Sequence, residues 1–240
     1  MPEMRLLLRD IDIPDIEYLE TYRAHGGYAA LARVQREMSP LDVVDLVDKA
    51  GLRDRGGTWK ALAPRWRELA GRTEYLCVNA NESSPGAFRD RKLIERHPHQ
   101  FIEGVAIAAY ALEVRQVYIC MRPEMKRGIQ LLKSALQEVR ASGILDMATT
   151  DIEATLEIVV HVGGGAYIAG EETALLASLE GQRAEPKAQP PRLAMGFMGA
   201  SGHRGKCRHT MLSPPYCRAW GRLVCFAGGR YLFRHAGILH

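Results

Sequence analysis

The 240-residue chain is 47% apolar and 25% charged, ordinary values for a soluble globular protein long enough to bury a core without disulfide or metal staples. Its start, Met1-Pro2-Glu3-Met4, lacks the basic residues and apolar stretch of a signal peptide, and apolar runs such as Val105 to Leu112 are too short to span a bilayer. The net charge of +4 divides unevenly: residues 1–191 carry 24 Lys and Arg against 28 Asp and Glu, whereas residues 192–240 carry eight basic residues and no acid.

Met4 to Leu8 reads as a short strand. Three helical segments follow, Asp15 to Ala24, Tyr28 to Arg36 and Pro40 to Lys49. The third has Ser39 as N-cap, Pro40 at its first position and Gly51 just past its end, with Leu41, Val44, Leu46 and Val47 as its expected core face. The pattern then alternates: strand Glu74 to Asn79, helix Phe88 to Arg96, a helix Gln100 to Leu112 apolar on nearly every side, strand Gln116 to Cys120, helix Pro123 to Arg140, strand Leu156 to Val162 and helix Gly170 to Leu179. This alternation predicts an α/β layered domain on a largely parallel sheet. Cys77 and Cys120 fall mid-strand and read as inert core residues; His97 and His99, flanking Pro98, read as turn or capping residues.

Three segments can carry chemistry. Gly51-Leu52-Arg53-Asp54-Arg55-Gly56-Gly57 could turn backbone N–H groups and arginines toward a phosphate, or be a turn with solvated arginines. Asn79-Ala80-Asn81-Glu82-Ser83-Ser84-Pro85-Gly86 follows a strand, where ligands of open α/β sheets bind, or caps the next helix. The third segment, His161 to Thr173, holds Gly163-Gly164-Gly165, glycines that allow close backbone approach to a ligand. Tyr167, a ring able to stack, follows, and then Glu171-Glu172, which also suit a first helical turn.

Together these segments resemble the flavin- and NADH-binding subunit of respiratory complex I, of the NADH-quinone oxidoreductase type. That family also includes flavin subunits of NAD-reducing hydrogenases and formate dehydrogenases. The resemblance rests on His25-Gly26-Gly27-Tyr28, Gly51-Leu52-Arg53, Arg55-Gly56-Gly57 and Arg65-Trp66. It continues through Asn79-Ala80-Asn81-Glu82, Pro85-Gly86, Asp90-Arg91, Gly165-Ala166-Tyr167-Ile168, Gly170 to Leu175 and Ser178 to Gly181, and spans about residues 5–191. It implies a Rossmann-like FMN-binding domain in which NADH delivers hydride to FMN and electrons pass to iron–sulfur subunits of a larger assembly. Gly56, Gly57 and Arg65 would face the flavin phosphate and ribityl chain. Asn79, Asn81, Glu82, Tyr167, Gly170, Glu171 and Glu172 would surround the isoalloxazine and nicotinamide, with Glu82 and Glu172 as candidate catalytic groups.

Against the family pattern, Arg65 replaces a lysine, Lys60 and Glu68 stand where aromatic rings stack on NADH, and Ser84 and Asn81 replace a glutamate and an aspartate. NADH contacts are therefore expected to be weaker than flavin contacts. The expected organisation is a helical lead-in (1–50), an FMN- and NADH-binding α/β domain (51–191) and an irregular basic tail (192–240). The tail lacks the family's [4Fe–4S] ligands and reads as a shifted frame or an unrelated fused segment. Its His203, Cys207, His209, Cys217 and Cys225 contain no Cys-x-x-Cys pair, so no metal is expected there. A truncated, non-catalytic remnant and a basic nucleic-acid-binding module remain alternative readings. The expected location is the cytoplasm, at most peripheral on the inner membrane face through a complex, with no direct membrane insertion.

Overall fold

The structure is a computed structural model that describes residues 10–53, 60–149, 152–186 and 208–212. The expected strand at Met4 to Leu8, Gly56 and Gly57 lie outside the described residues, as does the tail apart from Arg208–Leu212.

The lead-in forms α1 (Leu19–Ala24), α2 (Ala29–Glu37) and α3 (Pro40–Lys49). Helix α3 keeps its predicted bounds because its signals are local. Ser39 Oγ accepts from Asp42 N–H, and the Asp42 side chain accepts from Ser39 N–H, a reciprocal cap worth about 1 kcal/mol. Its buried face is Val43, Val44 and Val47, whereas Leu41 is 55% exposed. At about 100° per residue Leu41 stands roughly 200° away from Val43, so the expected face was rotated. Helix α1 starts later than Asp15 because that residue takes a left-handed φ of 59°, which stops a helix from propagating through it.

Next come α4 (Leu62–Leu69), β1 (Thr73–Ala80), α5 (Arg89–Arg96), α6 (Pro98–Leu112), β2 (Gln116–Met121), α7 (Lys126–Ala141), β3 (Asp146–Thr149), β4 (Ile152–Thr155), β5 (Glu157–Val162), a 3-10 turn (Tyr167–Gly170), α8 (Glu172–Leu179) and β6 (Arg208–Leu212). The sheet order is β5-β2-β1-β6, every pair parallel. Buried Leu76, Cys77, Val78 and Ala80 make β1 a continuous apolar run, as a central parallel strand covered on both faces requires. Helix α4 was not predicted; its Pro64 lies in the first turn, where no intrahelical N–H bond is lost. The antiparallel pair β3–β4 and strand β6 were also not predicted. Strand β6 corrects the expectation of an irregular tail over Arg208–Leu212, which pair with β1.

Helix α6 is the hub. It packs against α1, α2, α3, α4, α5 and α7, and all fifteen of its residues are buried. One hydrophobic cluster runs from Ile16 through α6 to Ile158, so residue 50 does not separate two cores.

Around α6 lies a polar cluster buried within that core. Tyr22 Oη donates to Glu103 Oε2 at 2.5 Å and Leu31 N–H to Glu103 Oε1 at 3.2 Å. Tyr28 Oη lies 3.1 Å from His99 Nδ1, and His99 Nε2 lies 3.4 Å from Glu138 Oε2. His99 is thus a core residue bonded across elements, not the turn or capping residue expected. Burial lowers its pKa against the opposing pull of Glu138, while burial raises that of Glu103.

A pH dependence follows. With its folded pKa below 6.5, His99 takes up its proton in the unfolded chain first, so stability is lost as pH falls through the window below 6.5. Glu103 acts oppositely. Its folded pKa lies above 4.5, so stability falls as pH rises from 4.5 through that folded value. Comparing wild type with His99→Gln isolates the histidine: urea midpoints between neutral pH and pH values below 6.5 are expected to fall less in the variant. Equal falls would remove His99 from the account.

Candidate functional site

The chain leaves β1 toward β2 and β5 and returns to the other side of β1 with β6. Strand order therefore reverses at β1, and in open parallel sheets the crevice beyond the carboxyl ends at such a point takes the ligand. Asn79, Asn81 and Glu82 are at that end of β1, Arg122 follows β2, and Gly163 to Gly165 follow β5.

Two of these loops are laced together. Asn79 Nδ2 donates to Gly170 O at 2.9 Å, Asn79 Oδ1 accepts from Asn81 N–H at 3.1 Å, and Ser83 Oγ donates to Tyr167 O at 3.3 Å. Among the described residues Asn81 Oδ1 is buried with no hydrogen-bond partner. It borders a cavity of about 10 Å³ lined also by Cys120, Met121, His161, Gly163 and Ser178, room for about one water. An unpaired buried acceptor costs about 1–3 kcal/mol, and its position at the crevice points to a donor supplied by a ligand or water. Tyr167 is 67% exposed, with Ile168 and Phe88 also exposed.

The glutamates have defined places. Glu82 accepts Asp90 N–H at 2.9 Å and Arg91 N–H at 3.0 Å, so its carboxylate caps α5. Glu171 is the N-cap of α8 and accepts Thr173 and Ala174 N–H. Glu172 Oε1 pairs with Arg65 Nη2 at 3.3 Å, bringing together two residues 107 positions apart. Helix α4 alone of these three has neither a side-chain cap nor an acid in its first turn. Its Leu62 N–H donates to Leu52 O at 3.0 Å, and among the described residues no carboxylate opposes an anion at this helix start.

Sequence reasoning missed Arg122 and Glu124, and it gave no role to His161 or Ser178, which lie within segments it singled out. Arg122 Nη1 donates to Glu82 O at 3.1 Å, Nη2 to Gly165 O at 3.4 Å and Nε to Glu124 Oε2 at 2.9 Å. The Glu124 bond raises the pKa of Arg122, and the same bond lowers that of Glu124. His161 Nε2 lies 3.1 Å from Ser178 Oγ, and burial lowers its pKa. The available signal was position: Arg122 is one residue past a parallel strand, with an acid two residues on. Cys77 and Cys120 are buried, and burial, aided by Glu172, pushes the Cys77 thiol up to about 12, in keeping with an inert core role.

Residues 47–201 match the family described as the Nuo51 FMN-binding domain. The chain belongs to this family. An NADH-quinone oxidoreductase subunit of Rhizobium meliloti (strain 1021) is 42% identical over 199 residues, covering 82% of this chain and 47% of that protein. The corresponding NADH-quinone oxidoreductase subunit of Aquifex aeolicus (strain VF5) is 40% identical over 191 residues, 78% and 44% of the two chains. The chain thus spans a little under half the length of these relatives. The NAD+-reducing [NiFe]-hydrogenase in its H2-reduced state superposes with a TM-score of 0.71 at 28% identity, over 93% of this chain and 35% of that one.

The matched span of the Nuo51 FMN-binding domain contains every site residue singled out from sequence, and the resemblance extends past Pro191. Toward a flavin the described residues offer one acceptor without a partner, Asn81 Oδ1, and open space at Gly164, where a side chain would meet nothing within 4 Å. Among the described residues no group of three or more His, Cys, Asp or Glu could hold a metal ion, and no helix is long and apolar enough to cross a membrane.

Proposed function

We propose that the chain is the FMN-binding portion of an NADH dehydrogenase flavin subunit. In this reading it accepts hydride from NADH and passes electrons to iron–sulfur clusters of partner subunits, in a peripheral complex I-like or related dehydrogenase assembly. Family membership supports this reading, and the observation that carries it is Asn81 Oδ1, a buried acceptor left unpaired at the strand-order reversal.

FMN, when bound, supplies two-electron acceptance from NADH and one-electron release. The chain supplies position and field. Asn81 would offer its Oδ1 to a donor on the flavin. Asn79 sets the Asn81 backbone against Gly170. Gly56 and Gly57, with Arg65 on α4, take the phosphate and ribityl side, since the carboxylates of Glu82 and Glu171 occupy the other two helix starts. Glu82 acts here as a positioning group, because both its oxygens hold α5. Glu172, tied to Arg65, is the acid left to contact the nicotinamide, and exposed Tyr167 offers the stacking face. Lys60 and Glu68, standing where the family has rings, weaken NADH by about 1–3 kcal/mol for each ring lost, by analogy with base stacking.

The test is an FMN titration of the 240-residue chain by fluorescence quenching, followed by NADH added without oxygen. Saturable quenching and bleaching are expected. Quenching without bleaching would leave a flavin protein that has lost its nicotinamide partner, and absence of saturable quenching would overturn the flavin reading. Asn81→Leu is expected to weaken FMN about tenfold, the equivalent of one hydrogen bond. The same variant is expected to raise the unfolding midpoint of the flavin-free chain, since it removes an unpaired buried acceptor.

A further inference from the structure

We infer that Arg122 is a positioning residue that sets the spacing of the crevice by clasping the loops beyond β1 and β5 from the end of β2. The inference rests on the reading of the crevice as a flavin site. The guanidinium spends its donors on three separate acceptors: the carbonyl of Glu82, the carbonyl of Gly165 and the carboxylate of Glu124. The two carbonyls belong to the loops that carry Asn81 on one side and Tyr167 on the other. A planar fork with fixed donor directions suits this task in a way an ammonium does not. A strand-end loop held at one carbonyl cannot drift relative to the other, and ligand geometry is sensitive to displacements well under 1 Å.

The glycines of this loop support the same arrangement. A Cβ on Gly165 would overlap the carboxylate of Glu124, and a Cβ on Gly163 would come within 2.8 Å of Ser178 Oγ, whereas one on Gly164 would meet nothing within 4 Å. A Cβ at Gly163 or Gly165 would displace the end of a neighbouring side chain, and at Gly165 that end is the carboxylate paired with Arg122. Glu124 is exposed over about half its side chain, at 55%. It could swing away from a methyl group at 165, but only by releasing Arg122. The clasp thus has a second handle, remote from Arg122 in sequence.

The experiment measures FMN affinity, thermal midpoint and amide hydrogen exchange for wild type, Arg122→Met, Arg122→Lys, Arg122→Ala, Gly165→Ala, Glu124→Ala and the double variant Gly165→Ala/Glu124→Ala. Loss of charge-assisted hydrogen bonds is expected to weaken FMN about tenfold to hundredfold in Arg122→Met. Exchange is expected to quicken in both residues 81–84 and 163–166, with little change in midpoint. Lysine recovers little of the affinity, whereas free guanidinium added to Arg122→Ala restores part of it and ammonium does not, a response that a merely structural role would not give. Gly165→Ala weakens FMN as well, and the double variant is no worse than Glu124→Ala alone, because the overlap is gone. If Arg122→Met fails to fold, Gly165→Ala tests the clasp from its other end. Saturable wild-type binding left unchanged by Arg122→Met and Gly165→Ala, or exchange unchanged in the two loops, overturns the clasp alone. A wild-type chain that binds no FMN overturns the flavin reading and with it the positioning role.

Discussion

Replacing Glu103 by Ala is expected to lower the unfolding free energy by about 3 kcal/mol, among the largest single-residue effects in the chain. Glu103 lies in α6 with none of its surface exposed. Burial pushes its pKa up, and the Tyr22 hydroxyl and backbone N–H groups of Tyr28, Leu31 and Ala30 hold it down. These N–H groups belong to the start of α2, which has no side-chain cap of its own and enters through Tyr28 at φ 61°. The carboxylate therefore serves as a cap delivered from another helix. Alanine would take the carboxylate acceptor from the Tyr22 hydroxyl and Leu31 N–H in the core, at about 1–3 kcal/mol for each bond lost, offset in part because no charge then needs desolvation. Gln keeps one acceptor and is expected to cost about half as much. Urea unfolding of both variants at neutral pH checks this; an alanine variant within about 0.5 kcal/mol of wild type would mean that water reaches these groups and replaces the carboxylate.

That cluster shows why parts of the fold were legible in sequence and others were not. Helix α3 was readable to the residue because Ser39, Pro40, Asp42 and Gly51 act within one turn of where they stand. Strands β1, β2 and β5 were readable because Glu74 to Asn79, Gln116 to Cys120 and Leu156 to Val162 are rich in apolar and β-branched residues over strand length. Glu103 gave no such signal: the helix reads as apolar on nearly every side, and the role of its one acid depends on partners 72 and 81 residues away. Strand β6 was hidden because it follows a stretch of unusual composition, and its pairing with β1 depends on a contact across more than 100 residues.

The site divides along the same line. Asn79, Asn81, Glu82, Arg65, Gly170, Glu171 and Glu172 were picked out by motif, and the structure brings Asn79 to Gly170 and Arg65 to Glu172. Their roles were less legible than their places. Glu82 and Glu171 carry the acid expected of a reactive site, yet both carboxylates are engaged by helix starts, so their first effect is to hold loops and keep anions away from α5 and α8. Arg122 shows the converse: its significance lies in two backbone carbonyls, and no pattern of side chains announces which carbonyl a guanidinium will find.

Gly27→Ala is expected to cost about 3 kcal/mol, at the upper end of overpacking effects, although it adds a single methyl group. The added Cβ would overlap the ring of Tyr22. On a mobile surface ring such an overlap is relieved by a small rotation. Here the ring has nowhere to go: its hydroxyl is held by Glu103, it stacks on His99 at 5.8 Å, and Tyr28 stands edge-on at 5.3 Å. Moving Tyr22 breaks its bond to Glu103, so the methyl disturbs the same cluster as the Glu103 substitution. The two effects are therefore expected to be non-additive. A double-mutant cycle with Tyr22→Ala separates this from a backbone effect of losing glycine. With the ring removed, the methyl loses its three nearest contacts, and Gly27→Ala is expected to cost less than about 1 kcal/mol, a coupling of about 2 kcal/mol or more between the two positions. If the cost of Gly27→Ala stays the same in the Tyr22→Ala background, the glycine is needed for its backbone freedom rather than for the ring beside it.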